Sequence, residues 1–291
     1  MKKIVLEAAA KLNLSLDITG IREDGYHLLD SVMQSIGLYD KVILVKTESG
    51  VSLTVDNPNI PSDNKNTAYK AAEVFFAETG ILGGVEISIE KNIPFFAGMG
   101  GGSADAAAVI VGLNELYETN LPVERLQELG LKVGADVPFC IVGGTARVRG
   151  IGEIVEPLTN LDSALFVVVM PKDKGISTKE AYSRYDKLGA KKSPNTEKIL
   201  KAIRDENTSE LYDNMYNVLE EVASLSEVKI IKEELLEWGA HVAMMTGSGA
   251  AVFGMFDSLI LAMYATGHFT ENYNAYLADV IPKGVKIVSK N

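Results

Sequence analysis

Cysteine is almost absent from this chain. Among 291 residues there is one, Cys140, so no internal disulfide can form and a reducing, cytoplasmic setting is expected. Positive charge is scarce as well: 28 Lys and Arg stand against 39 Asp and Glu, a net charge of -11. DNA or RNA binding relies on many cation–phosphate contacts, so nucleic acid is not expected as a partner and any anionic ligand has to be held by a local cluster. No apolar run reaches the length of a membrane span, the longest lying near residues 164–170, and no membrane partner is expected. The opening MKKIVLEAAAKL starts like a signal peptide, but Glu7 and Lys11 interrupt its apolar run. Also missing are internal repeats, low-complexity tracts, Cys/His sets at metal-ligand spacing and a Ser/His/Asp nucleophile arrangement. With 47% hydrophobic residues, the chain has apolar material for two modest cores.

Glycine, by contrast, is concentrated. Gly98, Gly100, Gly101 and Gly102 fall within five positions. Before them Val85, Ile87 and Ile89 alternate with polar residues as in a half-buried strand, and after them Ser103 opens a segment with apolar residues at Ala106, Val109, Ile110, Leu113 and Leu116, one face of a helix. Glycine lets consecutive amides turn toward one anion, and the unpaired N–H groups of a helix N-terminus add positive potential there. The pattern predicts a phosphate cradle and hence a nucleotide ligand. It is not a P-loop, because Ser103 and Ala104 follow Gly102 where Lys-Ser or Lys-Thr would stand. A dinucleotide fingerprint fits poorly too, with Ser103 in place of its last glycine.

Other positions stand out by placement. Lys11 and Asn13 share one face of a predicted strand over residues 12–18, preceded by a short strand over 4–7. Asp24-Gly25 is a turn signal that sets Tyr26 and His27 just after it, with a helix expected to follow. Such a pair suits stacking and hydrogen bonding to a flat heteroaromatic base, as well as plain packing. Asp136 lies between Gly134 and Pro138, held by a turn rather than on a helix face. Further strands are predicted at residues 41–46, 51–55, 143–149, 164–170, 241–245, 251–256 and 284–288. Helices are predicted at 67–78, 120–131, 179–188, 196–204, 214–224 and 226–238, with one more between the last two strands. This mixture reads as α+β, with a domain break near 154–160.

Three distant segments, AAAKLNLSL, AGMGGGSADAAA and MTGSGAAVFG, resemble in order the three signature motifs of the GHMP kinases, the small-molecule kinases named for galactokinase, homoserine kinase, mevalonate kinase and phosphomevalonate kinase. The runs GIREDGYHLLDSVMQSIGLYD, GADVPFCIVGGTARVRGIGE and GIST resemble, within that superfamily, the members that phosphorylate a cytidine diphosphate derivative of a sugar alcohol on the non-mevalonate isoprenoid route. One departure is Ala9, where the first motif usually has proline. Residues 186–217 carry no readable motif.

The resemblance covers nearly the whole chain and implies a two-domain GHMP-kinase fold. Its N-terminal domain, over 1–158, would be ribosomal-protein-S5-domain-2-like, and its C-terminal domain, over 159–291, ferredoxin-like. It implies Lys11 and Asp136 as the catalytic pair, and ATP held by Pro94, Phe95, Phe96, Ala97, Gly98, Met99, Gly100, Gly101, Gly102, Ser103 and Ala104, with Asn66 toward adenine. The substrate, carrying a cytidine diphosphate group, would meet Asn13, Tyr26, His27, Tyr182, Gly247, Ser248 and Gly249. ATP is the implied cosubstrate and Mg2+ is expected with it; the metal's protein ligands and the oligomeric state do not follow from the sequence. Two other readings stay open: a mevalonate or homoserine type of kinase, which has no need of the Tyr26–His27 pair, and an inactive nucleotide-binding relative, which would be expected to have lost Lys11 or Asp136.

Overall fold

The computed structural model describes residues 2–161, 164–172 and 175–291. It begins with a long antiparallel hairpin, β1 (Lys3–Ile21) and β2 (His27–Thr47), 19 and 21 residues long. The two strands expected at 4–7 and 12–18 are thus one. The intervening alanines, Ala8, Ala9 and Ala10, are buried on both faces, and the strand continues through them with a shift of register between Ala9 and Ala10. No helix follows the Asp24-Gly25 turn; the run from His27 is strand because it pairs along its length with β1. Ala9, the departure from the usual motif, uses the N–H that proline lacks, donating it to the Gly284 carbonyl at 2.8 Å.

Next come β3 (Gly50–Val55), α1 (Thr67–Thr79), β4 (Gly84–Glu90) and α2 (Gly101–Leu116). The outer half of β2 pairs with β4, which runs parallel to β3. Helix α2 begins two residues before Ser103, at a Gly100 cap with φ of 70°, so Ser103 lies inside the first turn and is not the cap. Ala104, Ala106, Ala107, Ala108, Val109 and Ile110 are all wholly buried, which makes α2 the central packing element of the first core. After α3 (Val123–Leu131) and α4 (Val137–Val142), β5 (Thr145–Gly150) pairs with the inner half of β2 and with β6 (Ile154–Pro157). β2 therefore belongs to two branches of one sheet.

The second half runs β7 (Leu165–Pro171), α5 (Thr178–Leu188), α6 (Thr196–Arg204), α7 (Thr208–Asn214), α8 (Ser226–Glu237), β8 (Val242–Met245), β9 (Val252–Phe256), α9 (Leu259–Thr270) and β10 (Tyr273–Asp279). Its sheet is antiparallel in the order β10-β7-β9-β8, the arrangement of a ferredoxin-like domain. Strand β10 escaped the sequence reading, although its YNAYLAD alternates. The helix expected at 214–224 is not there. Met215, Val218, Leu219 and Val222 do have helical spacing, and all are buried. The backbone there bonds outward instead: Leu16 N–H donates to the Tyr216 carbonyl and Val218 N–H to the Leu16 carbonyl. Finally β11 (Val285–Lys290) leaves the second sheet and pairs with β1, a crossing that a single cut after residue 158 does not describe. Among the described residues no helix is long and apolar enough to cross a membrane.

Gly112 marks where α2 presses on the hairpin: a Cβ there would lie 2.5 Å from Leu44 Cδ1 and 3.0 Å from Leu6 Cδ1. Gly267, on α9, has open space around it. Gly112→Val is expected to destabilise the protein by about 1–3 kcal/mol through overpacking. Gly267→Ala is expected to stabilise it by about 0.5–1 kcal/mol by removing chain entropy from the unfolded state. Urea unfolding of the two variants beside the parent checks both signs.

Candidate active site

Where the two halves meet there is a cavity of about 1180 Å³. β1 contributes Lys11 and Asn13, the loop from β4 to α2 with the first turn of α2 contributes residues 94–103, the turn before α4 contributes Asp136, and α5 contributes Tyr182. Asn66, Tyr26, His27, Gly247 and Ser248 line it as well. Of the predicted residues only Ala104 and Gly249 fall outside. Ala104 is wholly buried in α2, and a Cβ on Gly249 would meet Met245 and Ile176 rather than open space.

Successive residues of a strand face opposite ways, so Lys11 and Asn13 turn from the core that takes Ala10, Leu12 and Leu14. The Lys11 side chain is only 4% exposed; its Nζ donates to Asn13 Oδ1 at 2.6 Å and lies 3.6 Å from Asp136 Oδ2. The orientation of the Asn13 amide is fixed from behind. Its Nδ2 donates to Ser31 Oγ at 2.9 Å, the Ser31 hydroxyl donates to the Ser15 carbonyl, and the Asn13 N–H donates to Thr246 Oγ1 at 3.0 Å. Asn13 Oδ1 is thereby presented to the lysine. Asp136 caps α4 by position, yet its side chain makes no capping hydrogen bond, which leaves the carboxylate to the cavity. Cys140 lies one turn on, and burial pushes its thiol up, so it is no nucleophile.

The glycine loop has specific steric reasons for its composition. Gly100 has a φ of 70°, and a Cβ there would sit 3.0 Å from Lys11 Cγ and 3.3 Å from Cε. At Gly98, with a φ of 76°, a side chain would collide with the Thr246 carbonyl, and one at Gly247 would come within 2.7 Å of the Gly98 carbonyl. The two glycine turns, one from each half, thus lie backbone against backbone. Gly101 is different: its Cβ would face Ile93 and Lys91, on the flank of the loop.

That flank holds a buried charge cluster which sequence reasoning missed. Lys91 Nζ bonds Asp40 and, at 2.7 Å, Asp105 Oδ2, while Asp40 Oδ1 accepts from the backbone N–H groups of Asn92 and Ile93. One ammonium faces two carboxyl groups, and burial pushes Asp105 up to about 8. Asn217 was also missed. Buried, it donates from Nδ2 to the carbonyls of Met245 and Gly247 and so holds the second glycine turn. Neither had a local signal, since nothing in the neighbouring sequence announces which distant groups these residues serve. Asn66 caps α1, accepting from Ala68 N–H at 2.8 Å and donating to the Pro61 carbonyl at 2.7 Å.

On the opposite side, the His27 ring packs on Tyr182 with centroids 4.6 Å apart, and its Nε2 is 2.7 Å from Asp186 Oδ1. Burial, and then the Asp136 charge, push the Tyr182 phenol up. Tyr26 is largely exposed, with the Arg22 guanidinium 5.6 Å from its ring centre. A base sandwiched between Tyr26 and Tyr182 therefore has to use ring faces other than those that His27 and Arg22 occupy.

Two family patterns match the chain: "GHMP kinases N terminal domain" over residues 66–144 and "GHMP kinases C terminal" over residues 199–262. The chain is 50% identical over 253 residues to 4-diphosphocytidyl-2-C-methyl-D-erythritol kinase of Clostridium tetani, covering 86% of this chain and 90% of that one. It is 45% identical over 271 residues to the enzyme of the same name from Clostridium botulinum, covering 92% and 96%. A crystal structure of 4-(cytidine 5'-diphospho)-2C-methyl-D-erythritol kinase matches with a TM-score of 0.79 at 31% identity, over 95% of this chain and 99% of that one. Homoserine kinase from Cytophaga hutchinsonii matches with a TM-score of 0.80 at 20% identity, over 98% and 97%, which is a likeness of fold.

The charge cluster gives a pH prediction. Asp105 carries its proton in the folded protein up to about 8, against 3.8 unfolded, so the folded state binds the proton more tightly. The stability this group contributes is complete below the unfolded value and is lost as pH rises through the folded one. Asp105→Asn, neutral throughout, is expected to gain stability relative to the parent between about pH 6 and about pH 9. Denaturant melts at the two pH values check the sign.

Proposed function

The chain belongs to the 4-diphosphocytidyl-2-C-methyl-D-erythritol kinases, a branch of the GHMP kinases, and we propose that its cleft transfers the γ-phosphoryl group of ATP to the 2-hydroxyl of the cytidylated methylerythritol. In this reading the substrate oxygen attacks the γ-phosphorus, the bond from that phosphorus to the bridging oxygen of ADP breaks, and the hydroxyl proton passes to Asp136. A carboxylate is a weak base, so it orients the hydroxyl first and takes the proton late, as suits a loose transition state. Lys11, paired with Asp136 at 3.6 Å, places the attacking oxygen and draws charge from the transferred group. Asn13 aims the ammonium. Residues 94–103 cradle the phosphates of ATP on backbone N–H groups, without Ala104, whose N–H is spent on the Gly100 carbonyl, and the loop containing Asn66 meets the adenine.

Among the described residues no group of three or more His, Cys, Asp or Glu forms a metal site, and Mg2+ held on ATP needs only one or two protein oxygens. The Ser103 hydroxyl, on the cleft wall beside the cradle, would supply one, and the ion would neutralise charge on the phosphates. His27, with Tyr26 and Tyr182, recognises the cytosine, and Gly247 and Ser248 close the substrate side, with Gly249 giving their turn its shape. Domain 1–158 carries the cradle and the catalytic pair, and 159–291 completes the cleft. The reaction belongs to the non-mevalonate route to isoprenoid precursors, in the cytoplasm.

The single observation that carries this reading is the Lys11 ammonium 3.6 Å from Asp136, buried at the point where the glycine loop meets the substrate side. A coupled assay of ADP release tests it: turnover is expected with the cytidylated methylerythritol and none with mevalonate or homoserine, and the reverse preference would overturn it. Asp136→Asn is expected to lower kcat about a hundredfold or more while stabilisation against heat by Mg-ATP persists; a loss of less than about threefold would remove Asp136 from its role. Gly100→Ala, whose Cβ meets the Lys11 side chain, is expected to lower kcat about tenfold by displacing the ammonium, with ATP affinity less affected. Steady-state kinetics with melting curves separate this from a general loss of structure.

A further inference from the structure

Helix α5 turns one face to the cleft. Thr178, Lys179, Tyr182, Ser183 and Asp186 all line the cavity, at the three- and four-residue spacings that stack side chains along a helix. Two of them, Tyr182 and Asp186, sit one turn apart and grip the same ring from different directions. Tyr182 covers the face of His27, with centroids 4.6 Å apart, and Asp186 meets its edge, with Oδ1 2.7 Å from Nε2. The two partners are 159 positions apart in sequence, and Asp186 falls at the head of the stretch that carries no motif.

A carboxylate only accepts hydrogen bonds, so a ring nitrogen paired with it has to carry the proton. In a neutral imidazole the other nitrogen is then an acceptor. Among the described residues no other hydrogen bond to the His27 ring is formed, so Nδ1 is left to meet a ligand. Cytosine and uracil differ in just the feature such an acceptor reads. Cytosine offers an amino donor at position 4, and uracil places a carbonyl acceptor there.

We propose that Asp186 is a positioning residue that fixes His27 as the Nε2–H tautomer, and that the acceptor thereby created at Nδ1 selects a cytidine over a uridine diphosphate substrate. The proposal rests on the reading of His27 as the base-recognising residue. Tyr182 holds the ring plane and Asp186 sets the polarity of its free edge. With a uridine analogue two acceptors face each other, and a site built to accept a hydrogen bond rejects a ligand that cannot donate it. The Asp186 side chain is 45% exposed, near the end of α5, so its replacement spares the core.

The test pairs kinetics with nitrogen NMR of imidazole-labelled protein, tractable with three histidines in the chain. Asp186→Asn presents an amide that can either donate or accept, which releases the tautomer. It is expected to lose about tenfold in the preference for the cytidylated substrate over its uridine analogue. The loss should arise from a raised KM for the cytidylated substrate, with kcat and the KM for ATP held. The NMR should change from the Nε2–H form to a mixture, and Asp186→Glu should recover much of the preference. In a His27→Ala background, Asp186→Asn should add nothing. If Asp186→Asn keeps both tautomer and preference while His27→Ala loses the preference, Asp186 has no such role and the base-recognition reading survives. If His27→Ala also keeps the preference, both fall. A drop in melting temperature with equal KM changes for the two nucleotides would make Asp186 merely structural.

Discussion

An ammonium group buried to 4% exposure is costly unless other groups replace its water. Lys11 meets that demand with Asn13 Oδ1 and the Asp136 carboxylate, and much of the architecture serves to keep those partners in place. Asn13 is aimed from one side by Ser31 on β2 and from the other by Thr246 in the second half. The Lys11 N–H donates to the Met99 carbonyl, so the glycine loop hangs from the same residue through its backbone. Strand, loop and far turn are coupled through one side chain and its peptide group.

The meeting of the two glycine turns follows from that coupling. Met99 is tied to β1, and Gly98 and Gly247 touch backbone to backbone. The N–H of Ala251 reaches the Ala97 carbonyl at 3.3 Å. The cleft wall where the two turns meet is thus built from main chain, whose position depends little on side-chain rotamers. Asn217 stiffens it further from beneath by holding the carbonyls of Met245 and Gly247.

What could be read from the sequence was whatever leaves a local trace. The alternation of β4, the helical face of α2 and the glycine cluster between them are neighbours in the chain, and the structure keeps them as read apart from the earlier start at Gly101. Lys11 and Asp136 were legible through their motifs, and both line the cleft. Illegible were features set by partners far along the chain. The hairpin around Tyr26 was mistaken because HLLDSVMQSI carries no strand signal stronger than its pairing with β1. Residues 215–222 have helical spacing, but the Tyr216 carbonyl and the Val218 N–H are given to Leu16. Lys91 lies 51 positions from Asp40 and 14 from Asp105, and only the folded chain brings the three together.

Strand β11 has a consequence for how the protein is made. β1 lies between β2 and β11, and the Ala9 N–H, two residues before Lys11, is satisfied by Gly284. During synthesis β1 and β2 leave the ribosome early, yet one edge of β1 keeps unpaired backbone groups until residues 284–290 follow. An open strand edge is a template for pairing with other chains, and this one adjoins the buried lysine. The nascent chain therefore carries an unsealed strand edge beside Lys11 for most of its translation, a stage at which a chaperone able to cover that edge has the most to protect.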